Sequence, residues 1–167
     1  MPNVAFLQSG IRWIWVTVLV IVLDRFTKNF AQAFLSIGDP LSIVPGFNLT
    51  LSYNTGAAFS FLDGASGWQV FFFGGIATIA SIVFIYWLSR ISWRNYSESI
   101  ALALIVGGAL GNLWDRFLYG QVVDFIQLYV SHFYWPTFNI ADSAICIGAV
   151  LLICHAWFKK DISIHPL

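Results

Sequence analysis

Charge is what this sequence has least of. Only 10% of its 167 residues are Asp, Glu, Lys or Arg, against 59% hydrophobic, with a mean hydropathy of +0.78. A soluble domain carries about 25% charged residues, so this composition belongs in a bilayer. The formal net charge is zero and no Lys/Arg-rich run is present, which leaves nothing to attract nucleic acid. Cysteine is scarce as well. Cys146 and Cys154 share one apolar segment, roughly 12 Å apart along a helix, too far for a disulfide between them. His132, His155 and His165 are scattered, without an HxxxH or Cys/His cluster, so no metal or other cofactor is expected.

Four apolar segments remain, at about 13–30, 68–88, 99–118 and 140–158, each near the roughly 20 residues that a bilayer core requires. The expectation is one integral membrane domain over 1–167, mainly α-helical, with external loops at about 31–67 and 119–139. Arg12 precedes an apolar run too long for a cleaved leader, so the first span is read as retained. Four spans put both termini on one side. Arg12, Arg90, Arg94, Lys159 and Lys160 flank one face, whereas 29–67 and 117–139 hold no Lys or Arg at all. By the positive-inside rule both termini are cytoplasmic and the long loops face outward.

The polar residues that break the apolar pattern share one depth. Asp24, Arg25, Lys28, Asn112, Asp115, Arg116, Asp124 and Asp142 all map to the outer boundary. A charge at bilayer depth costs roughly 2.5 to 3.5 kcal/mol, so each needs a partner, water or a function. For any one of them, an ion pair or a headgroup anchor suffices. Asp124 follows the β-branched Val122 and Val123 and reads as part of a short extended piece. Asn139 is a good N-cap, which places Asp142 in the first turn of a helix, where the macrodipole favours its ionised form. If Asp124 folds back onto that turn, the two carboxyls share a proton, held mainly on Asp124, and can activate a water. Spacing alone favours the plainer alternative, Asp142 as an ordinary helix-start acid and Asp124 as a solvated loop acid.

Two further stretches carry signals. Phe47, Leu49, Leu51 and Tyr53 alternate with Asn48, Thr50, Ser52 and Asn54, the pattern of a strand with one face on an apolar surface. Asn54 could present its amide to an extended substrate peptide, or could simply help to close a turn with Gly56. Gly107 and Gly111 form a GxxxG pair, which favours close helix packing over ligand contact.

The segments 22–28, 53–60, 107–116, 120–125 and 138–143 together resemble the lipoprotein signal peptidases (signal peptidase II), over nearly the whole chain. In this sequence they read VLDRFTK, YNTGAAFS, GGALGNLWDR, GQVVDF and FNIADS. The resemblance implies a bacterial inner-membrane aspartic endopeptidase, acting as a monomer near the periplasmic face. It would remove the signal peptide from diacylglyceryl-modified prolipoproteins, cutting before the lipidated cysteine. It also implies Asp124 and Asp142 as the catalytic dyad, no cofactor, and Asp24, Lys28, Asn54, Gly56, Asn112, Arg116 and Asn139 as lining or bracing the site. The fold it implies is four transmembrane helices with a small extracytoplasmic β-cradle and a short surface helix, the latter suiting the amphipathic stretch 125–135. A proton-coupled transporter would instead spread polar residues through the membrane depth. A membrane thiol oxidoreductase would carry cysteine pairs in its external loops, and these carry none.

Overall fold

The computed structural model describes residues 8–55 and 67–164, the last six as backbone only. A short 3-10 turn, Gly10–Trp13, leads into α1 (Ile14–Phe34); β1 (Leu41–Val44) and β2 (Phe47–Asn54) follow. Next come α2 (Trp68–Arg90), α3 (Tyr96–Tyr119), β3 (Val122–Val130), β4 (Phe133–Tyr134) and α4 (Ile140–Ile164). Three of the helices, α2, α3 and the 140–158 part of α4, are long and apolar enough to cross a membrane. At 21 residues α1 is about 31 Å long, but it carries Asp24, Arg25 and Lys28.

Helix α3 is the central one. Two-thirds of its apolar window is buried, against 11% for α2 and 17% for α4, whose large apolar side chains such as Phe71, Ile79, Val150 and Ile153 point outward. Glycine sets how closely the neighbours approach. A Cβ on Gly107 would lie 2.8 Å from Val20 of α1, one on Gly111 would lie 2.9 Å from the Asp24 carboxylate, and one on Gly108 would collide with the Ala141 carbonyl of α4. The GxxxG pair therefore packs against α1, while Gly108, with Gly148 opposite Ala101, seats α4.

At the end of the bundle near Gly10, Gln8 and Gly10 bond to the 91–93 turn, and the Arg12 guanidinium lies 4.6 Å from the Trp93 ring centroid. The other end carries a four-stranded antiparallel sheet in the order β1-β2-β3-β4. Val44-Pro45-Gly46-Phe47 closes the first hairpin, with proline presetting one central residue and Gly46 taking the positive φ of 90° at the next.

Two expectations change here. The stretch 125–135 is strand and hairpin rather than a surface helix. Its β-branched and aromatic residues fit a pleated surface, and β2 offers a ladder that a helix would forgo. In β2 the alternation holds, but the polar Asn48 and Thr50 are the buried members, while Phe47 and Leu49 stay half-buried. Asn48 is satisfied inside by donating to Gln127 Oε1 at 3.0 Å, and a bulge between Leu49 and Ser52 turns Leu51 inward as well.

Candidate active site

Asn139 is the hinge of the polar end. It caps α4 through a reciprocal pair of bonds: the Asp142 N–H donates to Asn139 Oδ1 at 2.9 Å, and the Asn139 N–H donates to Asp142 Oδ2 at 3.2 Å. Its side-chain amide then reaches across to β3. Nδ2 donates to Asp124 Oδ1 at 2.7 Å, with Asn112 Oδ1 and the Val123 carbonyl also within 3.2 Å. One fully buried side chain thus ties the helix-start acid to the strand acid.

Asp124 reaches this point because Gly120 ends α3. At φ 69° Gly120 takes the left-handed cap conformation, its N–H bonds to the Arg116 carbonyl, and the chain turns back as β3. Pairing with β2 sets Ser52 opposite Asp124, and Asn54 Nδ2 donates to Asp124 Oδ2 at 3.2 Å. Asp124 is only 1% exposed. Burial pushes its carboxyl up to about 7, the charge of Asp142 adds to the rise, and the Asn54 and Asn139 donors and Lys28 act against it. Asp142 is half-buried and accepts from Asn112 Nδ2 at 2.7 Å.

Behind the two acids lies a charged bracket. Lys28 is fully buried, its Nζ 2.7 Å from Asp24, 2.8 Å from Asp115 and 3.0 Å from Asn112 Oδ1. Asp24 also accepts from the Ala141 N–H at 2.9 Å, which steadies the first turn of α4. An ammonium with three oxygen partners is a satisfied buried charge, whereas removing one partner would leave an expensive one. Arg116 Nη1 reaches the Asn112 carbonyl at 3.3 Å, and its guanidinium sits 5.7 Å from the Phe73 ring centroid. Arg116 also borders a cleft of about 570 Å³ between α2 and α3, walled by Val70, Phe71, Gly74, Leu113 and Phe117.

Asp24, Lys28, Asn54, Asn112, Arg116, Asp124, Asn139 and Asp142 therefore gather at one end of the bundle; Gly56 lies outside the described residues. Asn54 faces Asp124 rather than standing free for a peptide amide. Asp115 pairs across to α1, with Arg25 at 2.6 Å and with Lys28. Its bond to the Val123 N–H at 3.2 Å has no sequence signal, since it joins a helix to a backbone group eight residues on. Among the described residues no group of His, Cys, Asp and Glu is arranged to hold a metal ion.

A family description, signal peptidase (SPase) II, matches residues 16–158. A lipoprotein signal peptidase of Coxiella burnetii (strain RSA 331 / Henzerling II) is 52% identical over 143 residues, 86% of this chain and 88% of its own. One from Acinetobacter baumannii (strain AB307-0294) is 47% identical over 155 residues, 93% of this chain and 88% of its own. A solved bacterial membrane enzyme, determined by the in meso method at 2.3 Å, is 35% identical with a TM-score of 0.79, covering 93% of this chain and 92% of that one. With the family match running from the first helix into the last, through every element of the polar end, the chain belongs to the signal peptidase II family.

Proposed function

We propose that this chain is an aspartic endopeptidase of the bacterial inner membrane that removes the signal peptide from diacylglyceryl-modified prolipoproteins, cutting before the lipidated cysteine. The observation that carries the reading is Asn139, which holds one oxygen of Asp124 with its side chain and one oxygen of Asp142 with its backbone. Two carboxyls braced from one residue, one of them raised to about 7 and so able to keep a proton, match what activation of water on a peptide bond needs.

In this mechanism a water lies between the pair. Asp142 takes its proton as the oxygen attacks the scissile carbonyl, and Asp124 gives its proton to the carbonyl oxygen. The tetrahedral intermediate collapses when the nitrogen of the leaving peptide receives the proton from Asp142 and the new acid returns its hydroxyl proton to Asp124. Asn54 and Asn139 hold Asp124 in place throughout, and Asn112 holds Asp142. No metal or covalent acyl-enzyme enters.

The membrane placement follows the same logic. All four helices span, both termini are cytoplasmic, and the sheet is a cradle on the periplasmic side. Arg12 and Arg94, both against Trp93 at the opposite end of the bundle, support that orientation. The α2–α3 cleft beside Arg116 suits an acyl chain that stays in the bilayer while the peptide bond reaches the acids. A single polypeptide carries every group used.

The test is cleavage of a purified diacylglyceryl-modified prolipoprotein by wild type, Asp124→Asn and Asp142→Asn, followed as release of the signal peptide. Each variant is expected to lose about 10³-fold or more in turnover with insertion and fold retained. Near-normal cleavage by either variant overturns the two-aspartate mechanism.

A further inference from the structure

Strand β3 is held differently along its two edges. Toward β2 it has a ladder, with Tyr53 opposite Val123 and Ser52 opposite Asp124. Along the other edge β4 reaches only Tyr129 and Val130. Between 123 and 126 that second edge is closed by groups from outside the sheet. Asp115 accepts the Val123 N–H, Asn139 donates to the Val123 carbonyl, and the Phe138 carbonyl accepts the N–H groups of Phe125 and Ile126. Both backbone groups of Val123, the residue just before Asp124, therefore end on side chains of other elements.

Asp115 is suited to that hold. It is fully buried, and its two oxygens meet Arg25 Nη1 at 2.6 Å, Lys28 Nζ at 2.8 Å and the Val123 N–H at 3.2 Å. The buried Lys28 shares the oxygen that meets the Val123 N–H, Arg25 neutralises the other oxygen from a partly exposed position, and the carboxylate fixes the strand. A carboxylate that only neutralised Arg25 and Lys28 would have no reason to face a backbone amide of another element.

We propose that Asp115 is a positioning residue for hydrolysis: it clamps Val123 so that the Asp124 carboxyl stands at a set distance from Asp142. This rests on the two-aspartate mechanism above. It adds a residue that never touches substrate and acts through the backbone. Asp115 also sets the local charge. The charged groups that act on Asp124 are Lys28 of α1, Arg116 of α3 and Asp142 of α4, while β2 contributes the neutral Asn54; Asp24, Arg25 and Asp115 lie behind them, paired among themselves and to Lys28. Removing the negative charge of Asp115 leaves Lys28 and Arg25 less compensated, so Asp124 releases its proton more readily.

The experiment compares wild type, Asp115→Asn, Arg25→Gln and Asp124→Asn, using the full chain in lipid and the same prolipoprotein assay. A displacement of an ångström at the reacting groups costs about 100-fold. For Asp115→Asn the expected result is a kcat lower by about that factor, with KM within about threefold of wild type. The alkaline fall of kcat/KM should also begin about one pH unit lower. Arg25→Gln breaks the ion pair but leaves the Val123 bond, and kcat should stay within about threefold. Wild-type kcat, KM and pH profile in Asp115→Asn, with Asp124→Asn inactive, overturns this proposal alone; an active Asp124→Asn overturns the two-aspartate mechanism instead. A loss in Arg25→Gln equal to that in Asp115→Asn assigns the effect to the ion pair and overturns the clamp. Should Asp115→Asn fail to fold, amide exchange in the wild-type protein decides: slow exchange at Val123, comparable to Phe125, upholds the clamp, and exchange as fast as an exposed loop amide removes it.

Discussion

At one end of α3, Glu98 accepts from Trp87 Nε1 at 3.0 Å and Asn95 Nδ2 at 3.3 Å and lies 3.5 Å from His155 Nε2. At the other end, Asp115, Asp24 and Asp124 are as deeply buried, and their partners come from α1, β2, β3 and the start of α4 together. Both ends take a carboxylate out of water, and both surround it with donors. The difference lies in the company each acid keeps. The partners of Glu98 are Trp87, Asn95 and His155, none of them an acid, and they satisfy it. Asp124 faces a second carboxylate, and its donors hold it in place without cancelling the effect of burial and of Asp142. A lone satisfied acid ties helices together; two acids braced toward each other keep a proton available near neutral pH.

The contrast can be broken by experiment. The largest effect, after loss of either acid of the proposed pair, is expected for Asn139→Ala. It removes a helix cap worth about 1 kcal/mol and takes one donor each from Asp124 and Asn112, leaving Asn54 and Lys28 as the donors that remain, so turnover should fall by about 100-fold, with a lower Tm by thermal melting. If Asn139→Ala cleaves like wild type, the two acids do not depend on a shared brace.

The pH profile gives a smaller, graded effect. In the proposed mechanism Asp124 must be protonated, so kcat/KM should fall about tenfold per unit as pH rises beyond about 7. The stability sign follows from the same shift. The folded-state value, near 7, is above the ordinary 3.8, so the folded chain holds a proton that the unfolded chain releases. That contribution is complete below 3.8 and is lost as pH rises to about 7. Asp124→Asn, which cannot ionise, should accordingly show a Tm at pH 8 no lower than wild type. A flat kcat/KM between pH 6 and 9 would separate the raised carboxyl from catalysis.

The smallest effect on turnover is expected at the opposite end. Glu98→Gln keeps an acceptor for Trp87 and Asn95 and should leave cleavage within about twofold while costing about 1 kcal/mol, a Tm loss of about 2–4 °C. A loss of turnover like that of Asn139→Ala would mean that the two ends are coupled through α3.

Much of this was legible without coordinates. The apolar runs coincide with α1 to α4, the Asn139 cap and the position of Asp142 in the first turn follow from local chemistry, and Gly107 and Gly111 mark a close helix contact. The surface helix that the resemblance implies does not fall at 125–135: that amphipathic stretch suits either period, and partnership with β2 makes it strand. The Asp115 bond to Val123 escaped because nothing local points to it.

By itself the sequence determined which runs are apolar helices, where the chain turns, and which acids need an explanation, because hydropathy, capping and glycine act over a few neighbours. Only the tertiary structure decided which acid meets which donor. Lys28 on Asp115, Asn139 on Asp124, and Asp115 on Val123 each join residues of different elements. The physical reason is burial: once water is gone, each charge takes the nearest partner in space, and packing sets that partner irrespective of distance along the chain.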